Sequence, residues 1–505
     1  MKIKPFVLAV VFICHIVVDG QTKLYDERYR PQFHFSPAKN WTNDPNGLVY
    51  LDGEYHLFYQ YNPFGNKWGH MSWGHAVSGD LVHWRHLPLA IPELDSVMIF
   101  SGSAVIDVNN TSGFRNKAGP PPMVAIYTAH VIADSSKPDN YRQEQHIAYS
   151  LDKGRTWMKY KGNPVLDIHK KDFRDPKVFW HNKTNQWVMA VVLPHEHKVQ
   201  FYTSPNLKRW TYLSEFGPAG DVQNIWECPD LLEVPIANQP GKKKWVLINS
   251  QQTTMQYFVG DFDGKIFRNE NTVEKIFRPD HGPDYYAAVT YNLPANQQPV
   301  MLGWANNWTY ANDIPTFPWK SAMALPRNLY LNKIGNDWVL IQRPVAALKS
   351  LRTSPFTANN LVIAGTRRLA AHGQQIELEL IFRTEQRSIA GVRLAVAGET
   401  AVVIGYDAAS EKLFFDRSGV GDTSFNHSYA ALSHFDVPLV TADRKIRLHI
   451  FFDNSIIEVF ANDGAAVMTA QIFPRKGDDG IELFSQQGST RFDSVKIWKM
   501  KSAWR

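Results

Sequence analysis

Read for the spacing of its apolar positions, the chain shows little that repeats every three to four residues. Short runs rich in Val, Ile, Tyr, Phe and Trp alternate instead with clusters of Gly, Pro, Asn and Asp, the pattern of strands and turns. Five runs in the first two thirds, at 55–61, 123–128, 187–193, 245–248 and 300–305, are strongly apolar. A run without alternation is buried on both faces, so each predicts an inner strand. A second pattern supports a repeating unit. Ser78-Gly-Asp-Leu-Val-His-Trp84, Ser150-Leu-Asp-Lys-Gly-Arg-Thr-Trp157 and Ser204-Pro-Asn-Leu-Lys-Arg-Trp210 share a Ser, a turn-forming Asp or Asn and a closing Trp, with the serines 72 and then 54 residues apart. Units of that length with four short strands each predict a propeller rather than unrelated hairpins.

Past Arg327 the texture changes. Ile341-Gln-Arg-Pro-Val-Ala-Ala-Leu-Lys-Ser-Leu-Arg352 reads as an ordered connector. Beyond Pro355 apolar positions alternate, as at Ile446, Leu448, Ile450 and Phe452, with turns at Asn462-Asp-Gly464 and Asp478-Asp-Gly480, which predicts a β-sandwich. The expectation is an all-β chain: a targeting segment at 1–20, a propeller over 21–335, a connector at 336–354 and a sandwich over 355–505.

Composition narrows the partners. The 505 residues carry 54 basic and 48 acidic side chains, a net charge of +6, with no basic block of five or more, so nucleic acid is not the expected partner. Lys2 and Lys4 precede an apolar run at 6–18, which is shorter than the ~20 residues of a membrane span and reads as a secretion signal, so no membrane partner is expected. Of the two cysteines, Cys14 lies inside that segment, leaving Cys228 alone and no intramolecular disulfide. Glycosylation sequons stand at Asn40, Asn109, Asn110, Asn182, Asn307 and Asn426.

Three acids sit in unusual settings: Asp44 in Trp41-Thr-Asn-Asp-Pro-Asn-Gly47, Asp175 in Phe173-Arg-Asp-Pro-Lys-Val178 and Glu227 in Trp226-Glu-Cys-Pro-Asp230. Each has a proline close by that restricts the backbone. A propeller gathers successive innermost strands around one axis, so acids 50 to 130 residues apart meet at its mouth. Glycosidases need two carboxyl groups in different protonation states, which crowding of like charges provides.

With Phe100-Ser-Gly-Ser103, these motifs stand in the order of glycoside hydrolase family 32, the family of invertases, exo-inulinases and levanases, which the chain resembles over nearly all of its mature length. Trp68-Gly-His-Met-Ser-Trp-Gly-His75, Gly303-Trp-Ala-Asn-Asn-Trp308 and Pro318-Trp-Lys-Ser-Ala-Met-Ala-Leu-Pro-Arg327 resemble its levanase and exo-inulinase branch, and Asp453-Asn-Ser-Ile-Ile-Glu-Val-Phe460 its sandwich. The resemblance implies a five-bladed propeller followed by a β-sandwich, and a secreted retaining β-fructofuranosidase acting in exo mode on sucrose, raffinose, inulin or levan. It implies Asp44 as nucleophile, Glu227 as acid and then base, and Asp175 as stabiliser of the transition state. Arg174 pairs with neighbouring carboxylates, and Asn43, Gln60, Trp68, Phe100, Ser101, Ser103, Arg174 and Trp304 contact the sugar, with Trp304 and Trp308 offered to the unit beyond the first. No cofactor or metal is implied.

Other groupings carry less. His195-Glu-His197 and the pair His83 and His86 lack further ligands and read as loop histidines. Cys228 reads as a pocket residue that tunes Glu227. The sandwich reads as structural, with Asp453 and Glu458 as strand-edge charges or contacts between domains. A fructosyltransferase uses the same three acids and stays open as an alternative. A sugar-binding protein without activity usually lacks one of them, and an inverting pentofuranosidase is disfavoured by Asn-Asp-Pro-Asn-Gly.

Overall fold

The computed structural model describes residues 24–115, 119–132, 136–137, 139–441 and 443–504; the expected secretion signal, with Cys14, lies outside them. Five antiparallel sheets of four consecutive strands form the blades of a propeller. Their innermost strands, Asn40–Leu51, Val97–Ile106, Arg174–His181, Glu227–Pro235 and Tyr286–Thr290, contact one another in cyclic order around the axis. The ring is closed where Trp319–Lys320 pairs in parallel with Asn40 and Trp41 of the first blade.

The five apolar runs are the second strand of each blade: Glu54–Tyr61, Met123–Ile132, Gln186–Leu193, Lys243–Gln251 and Val300–Trp304. Each has a ladder partner on both edges, and their side chains fill the apolar layers between blades, which is why they carry so few polar residues. The Ser-to-Trp repeat is the turn between third and fourth strands of blades one to three. Asp80, Asp152 and Asn206 each accept two or more backbone N–H groups of that turn, and Trp157 and Trp210 close it by donating to Gly154 and Leu207.

The fifth blade runs past the expected boundary at 335. Its outer hairpin pairs Arg327–Ile334 with Asp337–Pro344, so the ladder itself carries the blade to Pro344, and the connector is the short 3-10 turn Ala346–Leu351. From Phe356 the chain forms two layers around one apolar core. The 20-residue strand Gly480–Lys499 joins them, pairing with Ile389–Ala397 along its first half and Gln375–Thr384 along its second.

The two domains are joined by buried charge. Asp453 accepts the backbone N–H groups of Gln32, Phe33 and His34, and the His34 ring bridges Asp453 and Glu458 at 2.8 and 3.1 Å. Burial opposes the charge on His34, but those two carboxylates outweigh it and hold its pKa up at about 9. Arg327, fully buried at the end of the fifth blade, reaches Asp280 at 2.9 Å and Glu458 at 2.6 Å. Arg417 of the sandwich reaches Asp284 at 2.7 Å. Asp453 and Glu458 are therefore contacts between domains. Among the sequon asparagines, Asn40, Asn110, Asn307 and Asn426 donate their side-chain amides to other residues, while Asn109 and Asn182 are exposed.

Arg327→Met leaves Asp280 and Glu458 facing each other's surroundings without their shared cation. It should lower unfolding free energy by about 3–5 kcal/mol, the usual cost of breaking a buried pair from one side, read from the urea midpoint. A loss below about 1 kcal/mol would contradict the assignment of Arg327 as the link between domains.

Candidate active site

Apart from the two-residue closure at Asn40 and Trp41, an innermost strand has a ladder on one edge only, and all five depart from regular pairing at the same end. The register shifts lie between Thr42 and Pro45, Ile99 and Gly102, Glu227 and Asp230, Tyr286 and Val289, and at Asp175-Pro176 opposite Val191. Such bulges turn side chains out of the pleat, here toward the axis. Pro45, Pro176 and Pro229 sit at three of them, where a ladder N–H is not required. Asp175, Cys228 and Ala287 take positive φ angles of 63°, 46° and 51°. In Phe100-Ser-Gly-Ser103 a Cβ on Gly102 would lie 2.1 Å from the Ile126 carbonyl oxygen, so only glycine lets the bulged strand approach its neighbour.

The bulges bring three carboxyl groups from three blades to one place. Ser101 donates to Asp44 at 2.6 Å and Asn43 donates at 3.0 Å. The backbone N–H of Cys228 donates to Asp175 at 2.9 Å, and the N–H of Asp175 donates to Thr128 at 2.9 Å. The Cys228 sulfur is 3.6 Å from both Asp44 and Asp175. Glu227 lies close enough for its charge to act on both Asp44 and Asp175. Arg174 donates to it at 3.2 Å and Tyr286 at 2.5 Å. Arg174 in turn is fixed by Asp172 at 2.9 Å and Gln143 at 3.2 Å.

Burial separates the electrostatic settings of these groups. It raises the pKa of Asp44, with the Glu227 charge adding to the rise and the Ser101 and Asn43 donors opposing it. It lifts Asp175 further, to about 7, against the pull of Arg174. Glu227 keeps a side-chain exposure of 21% and has a guanidinium beside it. Burial, then Asp175 and Asp44, push the Cys228 thiol up, so it stays protonated. Its contacts are with Asp44 and Asp175, which corrects the expectation that it tunes Glu227.

The remaining expected residues divide. Asn43, Ser101 and Arg174 touch the acids directly. Gln60 is buried and donates to the Ile99 carbonyl at 3.0 Å, bracing the strand that carries Ser101. Phe100 forms a wall, stacked on His130 at 4.5 Å with Trp68 edge-on at 6.2 Å. Trp68 is exposed at the rim. Ser103 lines the cavity beside Ser101, Asp175 and Cys228 but its hydroxyl is engaged, and Trp304 is withdrawn. The Ser103 hydroxyl donates to the Pro176 carbonyl and accepts from the Val178 N–H, stitching the second blade to the third. Trp304 is 0% exposed, so it cannot stack on a sugar; it supports Trp308 at 4.8 Å and Trp41 at 6.0 Å. Tyr286, Thr128, Gln143 and Asp172 were not anticipated. Of these only Asp172, one residue before Phe173-Arg-Asp-Pro, stood beside a motif. Of the histidines read as loop residues, His83 pairs with Asp80, His195 with Asp172, and His197 packs edge-on to Trp226 at 6.0 Å, whereas His86 lies within the strand Trp84–Ile91, bonded to Tyr25. A further cluster, Glu377, Glu379 and His449, is bridged by Arg352 at 2.6 and 2.9 Å.

Two family models cover the chain: the N-terminal domain of glycosyl hydrolases family 32 at residues 34–344 and the C-terminal domain of that family at 347–499. A levanase from Bacillus subtilis is 45% identical over 501 residues, covering 96% of this chain and 72% of the levanase. An extracellular exo-inulinase from Aspergillus awamori is 40% identical over 95% of this chain and 96% of its own length, and the crystal structure of exo-inulinase from that organism superposes with a TM-score of 0.89 over 95% of this chain and 100% of the other. The structure of β-fructofuranosidase from Schwanniomyces occidentalis complexed with fructosyl-erythritol is 34% identical, with a TM-score of 0.85 over 94% of this chain and 98% of the other.

A carboxyl whose pKa rises from 3.8 to about 7 takes up a proton on folding between those values, so it lowers stability as pH climbs through that window. Asp175→Asn lacks this loss. Its unfolding free energy relative to wild type should therefore gain ~2–4 kcal/mol between pH 4 and pH 7.5, measured by urea unfolding at a series of pH values. A difference that stays constant across the range would contradict the strained, buried carboxyl.

Proposed function

The chain belongs to glycosyl hydrolases family 32 and is a glycoside hydrolase, and on that premise we propose that it is a secreted exo-acting β-fructofuranosidase that works with retention. Its substrates are sucrose and fructans, from which it releases terminal fructosyl units. One observation carries the reading: Asp44, Asp175 and Glu227, each from a different blade, converge on the Cys228 thiol and the Arg174 guanidinium, with the first two in a dry setting and the third beside a cation and a phenol. Relatives named levanase and exo-inulinase support the substrate class, as does a neighbour complexed with fructosyl-erythritol. Secretion is supported by the segment at 1–20 and by the extracellular Aspergillus relative. The propeller, taken through Pro344, is the catalytic domain, and the sandwich is its structural support.

In the first step an oxygen of Asp44 bonds to the fructosyl anomeric carbon. The bond from that carbon to the leaving sugar breaks, and Glu227 delivers its proton to the departing oxygen. The intervening transition state carries positive charge on the ring. A dehydrated, fixed carboxylate stabilises it more than a solvated one would, because little water has to reorganise around it. Asp175, held by the Cys228 N–H, faces the ring hydroxyls, and Arg174 and Tyr286 orient Glu227. In the second step water attacks the same carbon, Glu227 takes the water's proton and Asp44 is released. Two inversions give net retention.

Glu227→Gln should lower turnover of sucrose on the order of 10²–10⁴-fold, the usual contribution of a general acid, and Asp44→Asn at least as much. Circular dichroism and thermal unfolding would show both variants folded. NMR of the first fructose released by wild type should show the β-furanose form. Initial release of the α-anomer, or near wild-type turnover by Asp44→Asn, would overturn the scheme.

A further inference from the structure

Among the described residues most large aromatic side chains are buried or half-buried. Among the described residues four large aromatics are exposed: Phe64, Trp68, Tyr212 and Phe317, and Phe64 and Phe317 are the most open, at 76% and 74%. Three of the four stand on one rim. Phe64 and Trp68 lie on the loop between the second and third strands of the first blade, and Phe317 on the loop that returns from the fifth blade to the first. Both loops are fastened to one residue. The backbone N–H of Asn40 donates to the Pro318 carbonyl at 2.8 Å, and its side-chain amide donates to the Pro63 carbonyl at 2.8 Å. The next N–H, of Trp41, donates to Gly65 at 3.0 Å, and Trp68 is tied across to Asn312 at 3.2 Å. Asn62 holds the Phe64 N–H at 2.9 Å. The two rings are thus presented by braced backbone and not by a free loop.

Asn40 begins the strand that carries Asp44. Four residues of chain span at most about 13 Å, so the clamp that holds both loops lies near the acid, and Trp68, edge-on to Phe100 beside Ser101, links the loop of Phe64 to the site. We propose that Phe64 and Phe317 form a docking rim for the later units of a fructan chain. This rests on the fructosidase reading above. The occupant is an uncharged, hydroxyl-rich polymer: aromatic faces pack against the C–H face of a sugar ring without demanding one hydroxyl pattern, and the rim continues directly from the site that holds the chain end. Apolar area of this kind is exposed at a cost unless something covers it, and two phenylalanines on loops held by one clamp are what a repeating ligand can use. Sucrose, which ends one unit past the pocket, does not reach them.

The test compares wild type with Phe64→Ser/Phe317→Ser on sucrose and on inulin and levan. The variant should keep kcat/KM on sucrose within about twofold, which also shows that it is folded, and lose roughly tenfold in kcat/KM on the polymers, through KM. Equal loss on sucrose and polymer, no loss on either polymer, or a change in oligomeric state by sedimentation that accounts for the loss would each overturn the rim. A wild-type protein inactive on sucrose and both fructans would instead overturn the fructosidase reading itself.

Discussion

A strand at the axis of a propeller has a neighbour on one side and a channel on the other, and its regular pleat would send half its side chains into the walls. The five bulges at the mouth of this propeller change that. Each breaks the ladder over two or three residues and turns Asn43 and Asp44, Ser101, Asp175, Cys228 or Tyr286 toward a common space. The left-handed backbone at Asp175, Cys228 and Ala287 costs on the order of 1–3 kcal/mol at each position. It persists because the neighbouring strands are stitched below it. Asn46 accepts from the Gly102 N–H, Ser103 bonds Pro176 and Val178, and Lys177 joins Asp230 and Thr290. Asn292 donates across the axis to Ala104 and Val178. These bonds tie all five innermost strands together, so the bulges cannot relax one at a time.

The sandwich belongs to the same argument. Asp280 and Asp284 lie just ahead of Tyr286, on the chain that enters the fifth innermost strand, and both are held by buried arginines that also bond the sandwich or lie at its face. The domain that carries no candidate catalytic residue thereby fixes the approach to the strand that presents a phenol to Glu227. Its contribution to chemistry is rigidity at a distance.

Much of this was legible in the sequence, for identifiable reasons. The second strands had to be apolar because both faces pack between blades, so their runs marked strands, while the count of five blades came with the family resemblance. The acids stood out because each of their three bulges places a proline within two residues of the acid, an arrangement rare in a regular strand. What depends on pairing was not legible. A hydroxyl at Ser103 and an indole at Trp304 look like pocket residues in a motif, yet one is turned to the next blade and the other lies under its neighbours. Tyr286 carries no local signal, since its role comes from where the fifth strand meets the fourth. The end of the propeller at Pro344 was hidden for a similar reason: the hairpin at 334–337 resembles a change of domain in composition, and only its ladder shows that the blade continues.

The account turns on Asp44 being the group that the ring of bulges aims at the anomeric carbon. Mass spectrometry of Glu227→Gln after brief mixing with a β-fructofuranosyl donor whose leaving group departs without protonation, such as the 4-nitrophenyl glycoside, and acid quench tests this directly. With such a donor, loss of the acid/base spares formation of the intermediate and slows its release, so a hexosyl mass increment should be found on the peptide that contains Asp44 and should be absent when Asp44→Asn is combined with Glu227→Gln. A hexosyl group on a peptide carrying Asp175 or Cys228 and not on that of Asp44 would contradict the account.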